Sequence, residues 1–186
     1  MIRPARIEDL DSVTALALRS KAAWGYSAEF MEACREELAI REEQLPEVFV
    51  LDQNGEPIGF YSLQRLTPER AELGHLFVEP AEMRRGHGTT LLRDAVSRAR
   101  EFGYRVLVIQ GDPHAAGFYR AAGAHQVGSR ESASIPGRML PLFELNLVGA
   151  PPFRSGASPS PGSTGQASVG LCSYHATLAT WQRRPR

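Results

Sequence analysis

Two short segments of this sequence carry residues that could bind a ligand or take part in a reaction. The first is Met83-Arg-Arg-Gly-His-Gly88, in which two arginines and two glycines stand directly before a helical pattern. The first N–H groups of a helix lack intrahelical acceptors and lie at the positive end of the helix dipole, so a turn with little side-chain bulk can wrap them around a phosphate. We therefore predict a phosphate-binding loop made by six residues: Arg84, Arg85, Gly86, His87, Gly88 and Thr89.

This loop differs from two common phosphate-binding loops. Leu91 stands where a dinucleotide-binding loop has its third glycine, and no Gly-Lys-Ser/Thr follows at the spacing of a P-loop. Short glycine motifs are weak signals, and paired surface arginines are often only solvated charge. The loop by itself therefore leaves a phosphate site and a simple turn as alternatives.

The second segment runs from Asp112 to Gly123 and is predicted to be a helix. Asp112 suits the N-cap, Pro113 suits the first helical position, and Gly123 suits the end. Phe118 and Tyr119 lie within it. A tyrosine hydroxyl has a pKa of about 10, close enough to that of a thiol to give a proton to a developing thiolate. The alternative is that both rings only pack the helix against a sheet.

The remaining pattern predicts the elements that must position these two segments. Asn54-Gly55 indicates a hairpin, and a helix between two apolar runs indicates that they form parallel strands. The order of elements predicts an α/β fold with one mixed sheet and helices on both of its faces. The predicted helices are 8–23, 27–38, 91–102 and 112–123, and the predicted strands are 48–51, 57–63, 71–78, 104–109, 124–130 and 140–147.

Taken together and in this order, the two segments resemble the GNAT superfamily of acetyl-coenzyme A-dependent N-acetyltransferases. The loop is similar to that family's Gln/Arg-x-x-Gly-x-Gly/Ala pyrophosphate motif, with Met83 at the Gln/Arg position. The helix is similar to its Asn-x-x-Ala-x-x-Phe-Tyr element, with Asp112 at the Asn position. The resemblance covers residues 2–147 and implies the order β-α-α-β-β-β-α-β-α-β-β in a single domain, residues 1–148.

The resemblance also implies roles for individual residues. Acetyl-coenzyme A is the implied co-substrate, Asp112 is implied to lie beside it, and Tyr119 is the implied general acid that protonates the coenzyme A sulfur. The pantetheine arm is implied to pair like an extra strand with Leu76, Phe77 and Val78, whose main-chain N–H groups face the thioester carbonyl. Fixed donors of this kind typically contribute about 3 kcal/mol each to the stability of an oxyanion.

The general base has two candidates on the strand that leads into the loop, Glu72 and His75. Since side chains alternate along a strand, these two residues are predicted to face opposite sides of the sheet, so that at most one points into the acceptor site. His75 could accept a proton near neutral pH, and Glu72 could do so through water. A water chain acting on an amine that is already deprotonated is the third alternative.

Three residues are candidates for binding the acceptor. Trp24 and Tyr26 lie in the connection between the first two helices, where the family commonly shapes this pocket, and could contact an apolar or cationic group. Arg138, beside Gly137, could bind a carboxylate with two hydrogen bonds. The alternatives are a core-sealing tryptophan and a solvated turn arginine.

Charge and composition narrow the class of protein further. The 186 residues have a formal net charge of zero, divided into a net of −4 before residue 149 and four arginines after it. A net-acidic body argues against a nucleic-acid binder. No apolar run is long enough to span a membrane, and charged residues interrupt the N-terminus where a secretory signal would be apolar, so a cytoplasmic location is predicted. A homodimer is compatible with the sequence.

The cysteines and histidines do not form a metal site. Cys34 and Cys172 are the only cysteines, and the five histidines do not pair at helical or turn spacing, so no metal is predicted. Cys34 is expected to be a buried or half-buried thiol on a helix.

The last part of the chain differs in composition. Pro, Gly and Ser supply 15 of the 37 residues in 150–186, which predicts a disordered extension at residues 149–186. The spacing of Leu171, Tyr174, Leu178 and Trp181 would also suit a short helix.

These patterns lead to one main hypothesis and one alternative. The main hypothesis is an N-acetyltransferase that moves an acetyl group from acetyl-coenzyme A to a primary amine of a small molecule or peptide by direct attack in a ternary complex. Neither segment contains a cysteine, so an acyl-enzyme has no evident nucleophile. The alternative is a non-catalytic, regulatory module that binds coenzyme A.

Overall fold

Seven strands form one mixed sheet in the computed structural model, which describes residues 1–149. Their order across the sheet is β1-β2-β3-β4-β5-β7-β6, and every neighbouring pair is antiparallel except β4 and β5. The parallel pairing predicted from the intervening helix is therefore confirmed. The strands are β1 (Ile2–Pro4), β2 (Val48–Gln53), β3 (Glu56–Arg65), β4 (Arg70–Val78), β5 (Val106–Gln110), β6 (His125–Glu131) and β7 (Met139–Asn146).

Five α-helices connect and cover these strands within the described residues. They are α1 (Leu10–Ala22), α2 (Ala28–Ala33), α3 (Arg35–Leu38), α4 (His87–Glu101) and α5 (Ala116–Ala121), and 3₁₀ turns at Ile7–Asp9 and Pro113–Ala115 precede α1 and α5. The element order is that of the predicted α/β fold. None of the helices in residues 1–149 is long and apolar enough to cross a membrane.

The predicted single helix at 27–38 is wrong in one respect, because it is divided at Cys34 into α2 and α3. Its predicted start is confirmed, since the Ser27 hydroxyl accepts a hydrogen bond from the Phe30 N–H at 3.2 Å. At Cys34 the backbone opens to ψ −6°, and the thiol is buried with its Sγ 3.4 Å from the Ser134 hydroxyl. The buried thiol agrees with the prediction for this cysteine.

Turn residues determine where several elements end. Asn54 and Gly55 both have positive φ, at 56° and 88°, which is the geometry of the two-residue hairpin turn that their sequence predicts. The strand predicted to begin at residue 104 begins at Val106 instead. The reason is that the Tyr104 N–H still caps α4 by donating to the Ala99 carbonyl.

Apolar side chains fill both faces of the sheet. The larger cluster lies between the sheet and the helices α4 and α5, and it includes Leu91, Leu107 and Phe143, all fully buried. The smaller cluster lies between the sheet and α1 and α3, and it includes Leu16 and Phe60. Helices on both faces of the sheet are therefore confirmed, with one apolar cluster on each face.

The parallel pair β4 and β5 separates partway along its length. The two strands pair from Arg70 with Val106 to Leu73 with Ile109, and β4 then continues to Val78 with only β3 beside it. The edge of residues 74–78 that faces β5 therefore has no strand partner. The predicted extension at residues 149–186 and the predicted helix at 171–181 lie outside the described residues, apart from Gly149.

Candidate active site

A cleft of about 780 Å³ opens where β4 and β5 separate. A volume of this size is typical of sites for small molecules and cofactors. Its walls come from α1, β4, the loop before α4, the start of α5 and β6. The predicted site residues that line it are Trp24, Glu72, His75, Leu76, Phe77, Val78, Arg84, Gly86, Gly88, Thr89, Asp112 and Tyr119.

The predicted phosphate-binding loop, residues 84–89 and called the phosphate loop below, forms one end of this cleft. Gly86 is the N-cap of α4 with φ 88°, and Arg84 also has positive φ, 62°, so the backbone makes a tight left-handed turn directly before the helix. His87, Gly88 and Thr89 are the first three residues of α4, and their N–H groups have no intrahelical acceptor. The loop therefore presents main-chain donors to the cleft at the positive end of a 15-residue helix.

Two predicted loop residues make contacts within the loop region itself. Arg85 donates to the Glu82 carboxylate at 3.1 Å, and His87 Nε2 lies 3.3 Å from the same carboxylate. Neither of them lines the cleft, whereas Arg84 does. Arg84 is therefore the arginine of this pair that is placed to reach an anion in the cleft.

The unpaired edge of β4 forms the floor beside the loop. Leu76, Phe77 and Val78 pair with Tyr61, Phe60 and Gly59 of β3 on one side only. An extended ligand can add to such an edge by main-chain hydrogen bonds. Because N–H directions alternate along a strand and the Glu79 N–H donates to the Ile58 carbonyl of β3, the N–H groups of Leu76 and Val78 face this free edge, whereas that of Phe77 faces β3.

The predicted opposite orientation of Glu72 and His75 is wrong, because β4 contains a β-bulge. Glu72 pairs with Gln64 and His75 pairs with Ser62, so both lie opposite residues on one face of β3. The extra residue is Gly74, where an added Cβ would approach the Ser62 hydroxyl to 2.9 Å. A bulge of one residue reverses the alternation beyond it, and both side chains therefore line the cleft. The glycine inside a strand pattern was a signal that could have predicted it.

The two candidate bases differ in their surroundings. The Nδ1 atom of His75 lies 2.8 Å from the Ser62 hydroxyl, and its Nε2 atom lies 3.5 Å from the Glu37 carbonyl. Burial lowers the pKa of His75, so the ring is neutral at pH 7 and both of its nitrogens have protein partners. Glu72 uses a single carboxylate oxygen, Oε1, which accepts from Arg130 at 2.9 Å.

Tyr119 lies on α5 and lines the cleft between the phosphate loop and β5. Its ring packs 5.8 Å from that of Phe143, and Gly111 passes so close that an added Cβ there would lie 3.0 Å from Tyr119 Cε2. Burial raises the pKa of Tyr119, and the negative charge of Asp112 raises it further. The phenol is therefore protonated over the whole physiological range and can act as a proton donor. Sequence reasoning missed Gly111, which has no local signal.

Asp112 is held by three parts of the chain. It caps its own helix by accepting from the His114 N–H at 3.1 Å, and it accepts from the Tyr26 hydroxyl at 2.9 Å. Lys21 and Arg138 lie 3.5 and 3.3 Å away. Burial opposes ionisation of Asp112, but these hydrogen bonds and charges outweigh it and lower its pKa. Burial, and then the hydrogen bond and charge of Asp112, raise the pKa of Tyr26 to about 12, although Arg138 opposes this shift.

The three predicted acceptor residues occupy different places. Trp24 lines the cleft, where it stacks on His114 at a centroid distance of 5.1 Å. Tyr26 and Arg138 form hydrogen bonds with Asp112 and with each other. Neither of them is among the described residues that line the cleft. Arg138 also lies over the Phe30 ring at 4.8 Å. Sequence reasoning missed Lys21, Gln64, Gln110 and Arg130, all of which line the cleft and belong to no motif.

No group of three or more metal-ligating side chains is present among residues 1–149.

A comparison with protein families identifies the class. The model of the acetyltransferase (GNAT) family matches residues 11–124, which include the phosphate loop and the Asp112 helix. The chain therefore belongs to the GNAT family of acetyltransferases and is an acyltransferase. No curated protein matches the chain at a significant level.

Solved structures agree with this fold. A GCN5-related N-acetyltransferase from Rhodopseudomonas palustris is 26% identical, with a TM-score of 0.64 over 78% of this chain and 94% of that one. The PaiA N-acetyltransferase of Thermoplasma acidophilum, solved with coenzyme A, is 21% identical, with a TM-score of 0.62 over 78% and 98% of the two chains. The ribosomal-protein-S18-alanine N-acetyltransferase of Escherichia coli is 22% identical, with a TM-score of 0.59 over 81% and 95%.

Proposed function

We propose that this protein is an N-acetyltransferase that transfers the acetyl group of acetyl-coenzyme A directly to a primary amine of a small molecule or peptide. One observation carries the proposal: the donors of the phosphate loop, the free edge of β4 and Tyr119 all belong to one cleft. A cofactor with a diphosphate, an extended pantetheine arm and a thioester needs these three features in this order.

In the proposed reaction, the amine nitrogen attacks the thioester carbonyl carbon, a C–N bond forms and the C–S bond breaks. Tyr119 gives its proton to the departing thiolate, which its raised pKa permits because the phenol is still protonated. We assign stabilisation of the oxyanion to the main-chain N–H groups of Leu76 and Val78, which face away from β3. Positioning supplies much of the rate, since both reactants are held in one cleft.

The acceptor nitrogen must also lose a proton. Of the two candidate bases, Glu72 fits better because its Oε2 atom accepts no hydrogen bond from the described residues, whereas both nitrogens of His75 are engaged. We assign His75 to holding the bulge of β4 against α3 through Ser62 and Glu37. The buried Cys34 does not line the cleft, which supports direct attack over an acyl-enzyme.

Two measurements test this function. Calorimetry with acetyl-coenzyme A should give one saturable site per chain, and the proposal fails if no binding occurs at millimolar cofactor. Thiol release should then be measured over polyamines, amino acids, aminoglycosides and peptides, with turnover expected for at least one class. Binding without turnover on any amine would favour the regulatory module instead. The screen is necessary because acceptor specificity depends on loops and single side chains rather than on the fold.

The Gly88→Val substitution tests the phosphate loop. A Cβ at Gly88 would lie 3.6 Å from Phe118, so a branched side chain has to project into the space that the diphosphate would occupy. We expect the Kd for coenzyme A to rise at least about tenfold, or 1.4 kcal/mol, with the fold retained. The measurement is calorimetric titration together with the melting temperature.

The matched control is Gly117→Val on α5, where an added Cβ meets no atom within 4 Å. This control should bind coenzyme A like the parent. Unchanged affinity in the Gly88 variant would mean that the loop is only a turn.

A further inference from the structure

An ion pair spans the half of the cleft that lies beyond the phosphate loop. Arg130 on β6 donates from Nη1 to Oε1 of Glu72 on β4 at 2.9 Å, and both side chains line the cleft. In the sheet, β5 and β7 lie between these two strands. The arginine side chain therefore reaches across the sheet face to a carboxylate beside the bulge of β4.

This pair is built so that a ligand can replace either partner. It uses one guanidinium nitrogen and one carboxylate oxygen, and no other hydrogen bond to either side chain occurs among the described residues. Glu72 is 16% exposed and Arg130 is 45% exposed, so the contact faces solvent on the arginine side. Such single, half-exposed contacts contribute little to stability, so a bound molecule can replace them at low cost.

A second ion pair on the same sheet face provides a comparison. Arg70 on β4 pairs with Glu144 on β7, and Glu144 lies opposite Val108, which in turn lies opposite Glu72. This pair has the same chemistry and similar exposure, but it does not line the cleft. The position of Arg130 and Glu72 inside the cleft is what distinguishes them.

The charges in this half of the cleft favour one type of acceptor. Glu37 and Glu72 both line the cleft with Arg130, and the hydroxyl of Ser134 that donates to Glu37 carries no charge. An ammonium group therefore meets an excess of negative charge, and Oε2 of Glu72 has no donor among the described residues. An ammonium group that displaced Arg130 from Glu72 would leave the guanidinium without a partner. A carboxylate on the same molecule would supply that partner with two parallel hydrogen bonds.

We propose that the acceptor is a small amine that also carries a carboxylate, with an α-amino acid as the simplest member of the class. This inference rests on the proposed acetyl transfer. The ammonium group replaces Arg130 at Glu72 before it is deprotonated, and the carboxylate replaces Glu72 at Arg130. Both protein charges remain paired in the complex. A polyamine cannot do this, because it brings further cations next to Arg130.

The test compares each of the twenty common L-amino acids with its own α-carboxamide as acceptor. Rates of thiol release from acetyl-coenzyme A are compared at equal concentrations of the ammonium form, because this is the form that Glu72 is proposed to bind. We expect at least one amino acid to be used with a kcat/KM about tenfold or more above that of its carboxamide, the loss typical of a missing charge-assisted hydrogen bond. In the Arg130→Gln variant, the ratio of the amino acid's kcat/KM to that of its carboxamide should fall to within about threefold of one. Most of this change should come from a higher KM for the amino acid.

Arg70→Gln is the matched control, and it should keep the ratio of the parent. Arg130→Lys should keep part of the preference, since it retains the charge but not the two-pronged geometry.

The inference is overturned if the parent uses amino acids and their carboxamides with similar kcat/KM, or if a preference for the amino acid survives in Arg130→Gln. Turnover only on amines without a carboxylate would overturn it while leaving acetyl transfer intact. A failure to bind acetyl-coenzyme A would instead remove the proposed function, and melting temperatures identify any variant that is misfolded.

Discussion

Tyr119→Phe is expected to lower kcat by about 10²–10⁴-fold, the usual cost of losing a general acid. The substitution keeps the ring, which packs against Phe143 and lies beside Gly111, and it removes only the hydroxyl of a residue that lines the cleft. Affinity for acetyl-coenzyme A and the melting temperature should therefore change little. The measurement is single-turnover thiol release, which isolates the chemical step from product release.

Tyr104→Phe is the matched control for this experiment. Tyr104 is partly buried at the end of α4, away from the cleft, so the same loss of a hydroxyl there should leave kcat unchanged. If the Tyr119 variant keeps a single-turnover rate within about threefold of the parent, the tyrosine packs the helix and another group protonates the thiolate.

A pH profile of kcat adds a second check on Tyr119. Since burial raises the pKa of Tyr119, kcat should not fall through deprotonation of this tyrosine near pH 10.

Asp112→Ala is expected to destabilise the folded protein by about 3 kcal/mol, the low end of the range for breaking a buried ion pair. The substitution removes the helix cap at His114 and leaves the largely buried Lys21 and Arg138 without their shared carboxylate. For a chain of this size, the change corresponds to a fall in Tm of about 6–12 °C. Chemical denaturation of parent and variant gives the difference in unfolding free energy directly.

The pH dependence of that difference has a definite sign. The folded-state pKa of Asp112 is lowered, so its contribution to stability is fully present above its unfolded pKa of about 3.9 and is lost as pH falls through the lower folded value. The gap between parent and Asp112→Ala should therefore be constant from about pH 6 to 8 and shrink below about pH 4. A gap below about 1 kcal/mol at pH 7 would mean that Lys21 and Arg138 find other partners.

Asp112→Asn separates the cap from the charge. Its side-chain oxygen can still accept from the His114 N–H and the Tyr26 hydroxyl, whereas the charge shared with Lys21 and Arg138 is lost. We expect an intermediate loss of about 1–2 kcal/mol. An Asn variant as unstable as the Ala variant would show that the charge, and not the cap, stabilises this junction.

The sequence by itself determined the features that depend on contiguous residues. The glycines of the loop, a helix after them and the Asp112 cap with Pro113 after it are all present as predicted, although the helix begins earlier than predicted, at His87. The reason is that turns and caps form between residues a few positions apart, so local conformational preference is sufficient to specify them. Apolar periodicity was likewise sufficient for the order of strands and helices, because each must bury one face.

Only the tertiary structure decided which side chains meet in the cleft. A bulge at Gly74, recognisable from its pairing with β3, brings Glu72 and His75 to one face where alternation predicts two. Arg130 reaches Glu72 across 58 residues of sequence, and Tyr26 reaches Asp112 across 86. Contacts of this kind depend on strand register and on how distant elements pack, and the spacing of residues within one short motif does not specify which distant side chain it will meet. The motifs therefore predicted the end of the cleft formed by the loop, whereas the end that contains Arg130 and Glu72 became visible only in the folded chain.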